Sequence, residues 1–361
     1  MPKNITIIIL DITKGAGTER AVTNLANILT ESEEYNVSIL SVNSFNGNPY
    51  YKLNEKINIL HGKCGSSIKF IRIIEGVFSV KRNCKNEDIV IGTLSANNIS
   101  LLFLRKNCIK IAAEHFSYYG HNFFARIRTH LFYPFLDAVV VLTSKDKKNY
   151  SWIKNVVVIP NSLSFIPQKL AELYSKRILL IGRYTYQKNF EVIIEAMSFI
   201  KDKCNGWQVR IIGDGKDKEK LQKMILEKKM EEIIFLIPPT EKIEDEYYNA
   251  SIFVMCSRFE GFPMVLVEAK SCGLPIVSFD CPTGPSDIIR DNIDGFLVEL
   301  GYTHGLSEAI LKFVESQDLR RHFGDAAQDD IERFSPISVG KMWFCLLEEL
   351  WERKQNKNEF Y

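Results

Sequence analysis

Glu260 and Glu268, with seven residues between them, lie in the stretch Ser257-Arg258-Phe259-Glu260-Gly261-Phe262-Pro263-Met264-Val265-Leu266-Val267-Glu268-Ala269-Lys270. The apolar run Ile252-Phe253-Val254-Met255 before it reads as a short buried strand. Pro263 suits the first turn of a helix, where its missing N–H is harmless. Glu260 is then expected in the strand-to-helix loop and Glu268 in the helix's second turn. A helix N-terminus offers free backbone N–H groups and partial positive charge, a seat for phosphate. Gly261, Phe262, Pro263, Met264 and Val265 would build that seat. Two carboxylates beside it suit neutral hydroxyls, one on a ribose and one on a sugar, which is what a nucleotide-sugar presents. The bland alternative is two surface glutamates on an ordinary α/β loop and helix.

Arg183 and Lys188 follow another strand-like run, Ile178-Leu179-Leu180-Ile181. A planar guanidinium and an ammonium there could together hold a diphosphate and stabilise the charge that develops as it leaves. Gly213 and Gly215, after Ile211-Ile212, would let backbone approach a ligand, although glycine turns end many strands. Gly15 and Gly17, in Lys14-Gly15-Ala16-Gly17-Thr18-Glu19-Arg20, follow the first apolar run. Their N–H groups could approach a phosphate, with Thr18 capping the next helix. A dinucleotide fingerprint is excluded, because Arg20 stands where its last glycine belongs. His115, in Ala112-Ala113-Glu114-His115-Phe116, sits just past a strand; an isolated histidine there is more often structural.

These residues need a frame to position them. A chain of 361 residues favours two domains. Short apolar runs alternate with helical patterns throughout, which favours βαβ units and parallel sheets, an α/β fold. In the first half the strands expected are Ile5–Leu10, Val37–Ser41, Ile57–Leu60, Ile89–Gly92, Ile109–Glu114, Ala138–Leu142 and Val156–Ile159. The second half repeats the alternation from Arg177. Residues 1–163 form one expected domain, 164–175 a linker, 176–340 a second domain, and 341–361 a last amphipathic helix (Met342 to Trp351) with a disordered tail after Lys354. Ligands are expected at the carboxyl ends of the strands, in a cleft between the halves.

Composition narrows the partners. Hydrophobic residues at 46% and charged residues at 25% are ordinary for a soluble protein. The net charge of +2 hides an asymmetry: residues 1–165 hold 20 Lys and Arg against 12 Asp and Glu, a net of +8, and the remainder carries 26 against 32, a net of −6. An anionic partner is expected on the first half. No nucleic-acid motif appears, so a membrane surface or lipid phosphate fits better than nucleic acid. Two stretches blend basic and apolar residues. The first has Lys63, Lys69, Arg72, Lys81, Arg82 and Lys85 among Ile68, Phe70, Ile71, Ile73, Ile74, Val77, Phe78 and Val80. The second is Asn122-Phe123-Phe124-Ala125-Arg126-Ile127-Arg128. Each reads as an interfacial face or, alternatively, as a core helix with a solvated side. No secretion signal and no spanning run is expected. The eight cysteines are scattered without a CxxC pair, against zinc or a disulfide framework, and a reducing compartment is expected. Asp-x-Asp is absent, so no catalytic metal is indicated.

The Glu260–Glu268 segment, with Glu-Gly-Phe-Pro, then Glu-Ala, then Cys272-Gly273-Leu274-Pro275-Ile276-Val277-Ser278, resembles the Glu-x7-Glu signature of retaining glycosyltransferases, family 4 in particular. Gly182-Arg183 with Lys188-Asn189 resembles a further family segment, and Gly15-Ala16-Gly17-Thr18-Glu19-Arg20 resembles the family's Gly-Gly-x-Glu-Arg loop, with an Ala inserted. Cys281-Pro282-Thr283-Gly284-Pro285-Ser286-Asp287 is similar to a Thr-Gly-Pro-x-Glu segment common in bacterial surface polysaccharide assembly, with Asp287 in place of Glu.

The resemblance covers nearly the whole chain and implies the GT-B fold, two Rossmann-like domains facing each other across a cleft, with the last helix crossing back to the first domain. It implies Arg183 and Lys188 on the diphosphate, Glu268 on the ribose, Glu260 on the donor sugar, and His115 positioning that sugar. Gly213, Pro238-Pro239-Thr240 and the 261–265 turn would lie near the nucleotide. The reaction implied is sugar transfer from a nucleotide-sugar, a UDP-hexose or UDP-N-acetylhexosamine, without metal or other cofactor. The acceptor would be a glycan on undecaprenyl diphosphate for capsule or O-antigen. The setting would be the cytoplasm or the inner face of its membrane. A GT-B enzyme using a small soluble acceptor, a UDP-sugar epimerase or hydrolase, and an inactive binding partner are the alternatives.

Overall fold

The computed structural model describes residues 2–44, 46–62, 69–93 and 98–359. Lys63, Cys64 and Ile68 therefore lie outside the described residues. The chain divides into two compact units: Met1–Ser164 with Phe334–Tyr361, and Phe165–Arg333.

The first unit holds β1 (Lys3–Ile9), α1 (Gly17–Thr30), β2 (Tyr35–Ser41), β3 (Asn58–His61), α2 (Lys69–Asn83), β4 (Ile89–Gly92), β5 (Ile109–Ala113), α3 (Phe123–Phe132), β6 (Ala138–Val141), α4 (Ser144–Asn149) and β7 (Val156–Val158). Its seven strands run parallel in the order β3-β2-β1-β4-β5-β6-β7. Strands covered on both faces read as unbroken runs such as Ile7-Ile8-Ile9 and Ala138-Val139-Val140-Val141, and both runs are buried.

The second unit holds β8 (Arg177–Ile181), α5 (Glu191–Ile200), β9 (Gln208–Ile212), α6 (Lys218–Glu227), β10 (Ile234–Ile237), α7 (Ile243–Tyr248), β11 (Ile252–Met255), α8 (Met264–Ser271), β12 (Ile276–Asp280), α9 (Pro285–Ile288), β13 (Gly295–Glu299), α10 (Thr303–Glu315) and α11 (Gln317–Asp329). Its sheet is also all parallel, in the order β10-β9-β8-β11-β12-β13.

Each sheet is a Rossmann-like sheet whose order reverses beside its first strand. The reversal falls between β1 and β4 in one unit and between β8 and β11 in the other. At such a point two neighbouring loops diverge at the carboxyl edge and leave a crevice for ligand.

The last helix, α12 (Pro336–Glu359), starts earlier and ends later than the sequence suggests. Its Val339, Trp343, Leu346, Leu347 and Leu350 join the core of the first unit with residues of α1 and β1. Lys354 Nζ binds the Cys108 carbonyl and Asp137, and the helix continues past it to Glu359, into the tail expected to be disordered. Residues 165–175 are likewise no free linker. Ala171 and Glu172 donate backbone hydrogen bonds to Cys272 and Tyr248. Half of residues 164–175 are apolar, but local sequence does not name the distant carbonyls that these N–H groups meet.

Candidate functional site

In the second unit the two loops at the reversal carry the expected residues. The loop after β8 holds Arg183 and Lys188, and the loop after β11 holds Glu260. Lys188 Nζ lies 2.7 Å from Glu260 Oε1. Gln187 Nε2 donates to the Phe259 carbonyl at 3.1 Å, and Arg258 N donates to the Gln187 carbonyl at 2.8 Å. Asn189 adopts a left-handed φ of 56°, which asparagine tolerates better than most residues. Its side-chain amide donates to the Cys256 carbonyl at 3.1 Å, fixing the chain directly after Lys188 against the end of β11. Arg183 is exposed and forms no ion pair among the described residues.

Helix α8 begins at Met264, with Pro263 just outside it, not in its first turn. No side chain caps this end. The first-turn N–H groups of an α-helix have no intrahelical acceptor, so Met264 and Val265 keep the anion-seat character expected of them. Gly261 and Phe262 lead into this turn. Glu268 is in the second turn, as expected, and is only 2% exposed. Its Oε2 accepts a 2.7 Å hydrogen bond from the hydroxyl of Tyr247, itself fully buried on α7. Sequence reasoning missed Tyr247, because a tyrosine in Glu-Tyr-Tyr-Asn carries no sign of which carboxylate it will meet.

Lys270, two residues further on, is also buried. Its Nζ is 2.7 Å from both Asp294 and Asp330 and donates to the Ile288 carbonyl. This network ties the back of α8 to the β13 turn and to the end of α11. The Cys281–Gly284 loop closes over the other side. Thr283 Oγ1 donates to the Glu260 carbonyl, and Gly284 packs on Pro263. Gly284 stands at the N-cap of the next helix, and the Ser286 hydroxyl inside that helix is buried without a hydrogen-bond partner.

Gly213 serves the frame. A Cβ there would fall 1.9 Å from the Gly182 carbonyl oxygen, so the close approach it allows is to the loop that carries Arg183. Cys256, Cys272 and Cys281 are buried, and burial pushes each thiol up to about 12, which keeps them protonated and unreactive.

In the first unit Gly15 and Gly17 are exposed in the turn after β1. A Cβ on Gly17 meets nothing within 4 Å, whereas one on Gly15 meets the Tyr50 ring at 2.6 Å. Thr18 does not cap α1: the helix opens at Gly17 with Ala16 as its uncapped start.

His115 lies two residues past the end of β5. Both its ring nitrogens are shielded from water and neither has a hydrogen-bond partner. Burial lowers its pKa to about 4, so the imidazole is neutral at ordinary pH and offers one donor and one acceptor. Glu114, beside it, points elsewhere. Its carboxylate accepts from the Tyr133 hydroxyl and from Asn98 Nδ2 at 3.3 Å, and it lies 3.1 Å from His121 Nε2. That bond ties the segment beyond His115 back to the strand.

A polar hollow of 430 Å³ sits at the amino ends of β1 to β3, lined by Asn4, Tyr35, Lys56 and Asn58. It is at the opposite edge from these loops and contains no candidate residue. Among the described residues no His, Cys, Asp and Glu cluster could hold a metal, and no helix is long and apolar enough to cross a membrane.

The profile of the family described as "Glycosyl transferases group 1" matches residues 164–330. The amylovoran biosynthesis glycosyltransferase AmsD of Erwinia amylovora is 31% identical over 358 residues, which cover 95% of this chain and 99% of that one. The chain belongs to the group 1 glycosyl transferases.

A second relative of this glycosyltransferase is the Campylobacter jejuni enzyme named GalNAc-alpha-(1->4)-GalNAc-alpha-(1->3)-diNAcBac-PP-undecaprenol alpha-1,4-N-acetyl-D-galactosaminyltransferase, 25% identical over 96% of this chain and 98% of that one. Among solved structures, a mutant of S. aureus TarM in complex with fondaparinux, alpha-GlcNAc-glycerol and UDP matches with a TM-score of 0.80 at 18% identity, over 95% of this chain and 99% of that one. The lipopolysaccharide outer core galactosyltransferase WaaB matches with a TM-score of 0.75 at 23% identity, over 96% and 99%. The glycosyltransferase thus has the GT-B architecture of two Rossmann-like units.

Proposed function

We propose that this glycosyltransferase is a retaining enzyme of the family 4 type. Its donor is a UDP-hexose or UDP-N-acetylhexosamine, and its acceptor is a hydroxyl of a growing surface glycan on undecaprenyl diphosphate. The observation that carries this reading is the Lys188–Glu260 pair at the sheet reversal, beside the exposed Arg183 and the uncapped start of α8. A cation pair and a helix N-terminus suit a diphosphate, and the carboxylate suits a sugar hydroxyl. On donor binding Lys188 turns to phosphate with Arg183, and Glu260 accepts from the sugar. Glu268, oriented by Tyr247, accepts from the ribose. Gly15, Gly17 and Gly213 border the phosphates. The neutral His115, with two unsatisfied nitrogens, takes a donor-sugar hydroxyl.

Arg183 and Lys188 stabilise the leaving diphosphate as charge builds on it. Attack from the same face, with the leaving phosphate accepting the acceptor's proton, needs no separate protein base and no metal. The lipid-linked acceptor is supported by the name of the Campylobacter relative, which includes PP-undecaprenol, and a biosynthetic role by that of the Erwinia relative, an amylovoran biosynthesis glycosyltransferase. We place the enzyme at the inner face of the cytoplasmic membrane.

The test is turnover by purified protein with a panel of UDP- and GDP-sugars and bacterial lipid extract, with the anomeric configuration of the product read by NMR. Transfer to lipid with retained configuration is expected. Inversion, or no turnover together with no UDP binding, would overturn the reading.

A further inference from the structure

Helix α3 reverses the usual amphipathic arrangement. Its buried side is made of small residues, Ala125 and Thr129. Its large apolar residues point outward: Phe123 is 72% exposed, Phe124 74%, Ile127 40% and Leu131 56%. Phe123, Ile127 and Leu131 recur every four residues and so share one face. A helix of a water-soluble domain normally turns such a stripe to the core.

The inversion is held in place. Asn122 caps the helix by accepting from Ala125 N at 2.9 Å, which fixes the two phenylalanines in the first turn. Arg126 packs over the Tyr118 ring and donates to the Tyr119 carbonyl. His130 packs on Trp152, with ring centroids 4.8 Å apart. The exposed apolar surface continues next to the helix. Phe135 lies just beyond its end, and the 3-10 turn Asn98–Phe103, which adjoins both α3 and α2, exposes Phe103; α2 exposes Phe78.

The helix's own segment carries charge of one sign, although Glu75 on α2 and the buried Asp146 on α4 lie nearby. From His115 to Leu136 the chain has no Asp or Glu, yet it carries Arg126 and Arg128. Tyr118 N binds Asp146 on α4, which brings that helix, with its exposed Lys147 and Lys148, alongside. A second copy of this chain docked on the same face would set cations against cations. Protruding phenylalanines among cations match instead the requirements of an anionic lipid interface.

We infer that α3 is a membrane-docking helix: Phe123 and Phe124 enter the headgroup layer of an anionic bilayer, and the surrounding Arg and Lys meet lipid phosphates. This deepens the proposed role on a lipid-linked acceptor but is read without donor or acceptor, so its failure is separable from failure of that role. The test is co-sedimentation of the full chain with vesicles of phosphatidylglycerol and phosphatidylcholine, against phosphatidylcholine alone, with F123S/F124S as the variant and thermal melting as the folding control. Binding to the anionic vesicles that weakens with salt is expected, falling by about tenfold or more in the variant at an unchanged melting temperature. Absence of binding to anionic vesicles, equal binding by the variant, or a wild-type dimer in sedimentation velocity that the variant loses without any lipid binding would each overturn it.

Discussion

Lys188 Nζ and Glu260 Oε1 meet at 2.7 Å across the two loops where the second sheet reverses its order. Their side chains are 16% and 9% exposed, so each charge depends on the other. Lys188→Ala removes both the partner of Glu260 and the proposed clamp on the leaving diphosphate. Its kcat/KM is expected to fall by about 10²–10³, the loss typical of removing one group that stabilises developing charge. Glu260→Gln keeps an acceptor for the sugar and should lose less. Equal activity of Lys188→Ala and wild type would remove Lys188 from the chemistry.

His115 gives a pH prediction. Its folded pKa of about 4 lies below its ordinary value of 6.5. Between these values the unfolded chain binds the proton and the folded chain does not, so stability falls as pH drops from 6.5 towards 4 and this contribution stops changing below 4. Above 6.5 the histidine contributes no pH dependence. His115→Asn should therefore show a shallower loss of melting temperature between pH 6.5 and 5 than wild type. An unchanged slope would mean that the imidazole is not shielded.

Tyr247 acts through Glu268. Tyr247→Phe deletes one hydrogen bond to a buried carboxylate, worth about 1.5–3 kcal/mol. If Glu268 holds the ribose, the variant should bind UDP several-fold more weakly by calorimetry, raising donor KM more than it lowers kcat. A drop in melting temperature with unchanged UDP affinity would leave Tyr247 a purely structural residue.

The glycines separate packing from ligand approach. Gly213→Ala forces a methyl against the Gly182 carbonyl oxygen and should lower the melting temperature clearly. Gly17→Ala meets open space and should melt like wild type. Lost donor affinity in Gly17→Ala at unchanged stability would place a ligand at that turn; wild-type affinity would remove Gly17 from the site.

The sequence by itself determined the two α/β units and most strand positions, because parallel strands covered on both faces must be apolar throughout, as Ile252-Phe253-Val254-Met255 is. It also placed Glu260 in a loop and Glu268 in the second turn of a helix, because a strand, a proline and an apolar helix in succession leave little choice. Contacts between distant segments were not legible. The pairing of Lys188 with Glu260, the Tyr247 hydrogen bond to Glu268, the buried Lys270 with Asp294 and Asp330, and the docking of α12 all join residues far apart in the chain. Local propensity has no access to such pairs. Nor could it tell which face of α3 is buried, since a helix with aromatic and small residues on opposite sides can turn either one inward. Tertiary packing decided that, by seating Ala125 and Thr129 and leaving Phe123 and Phe124 outside.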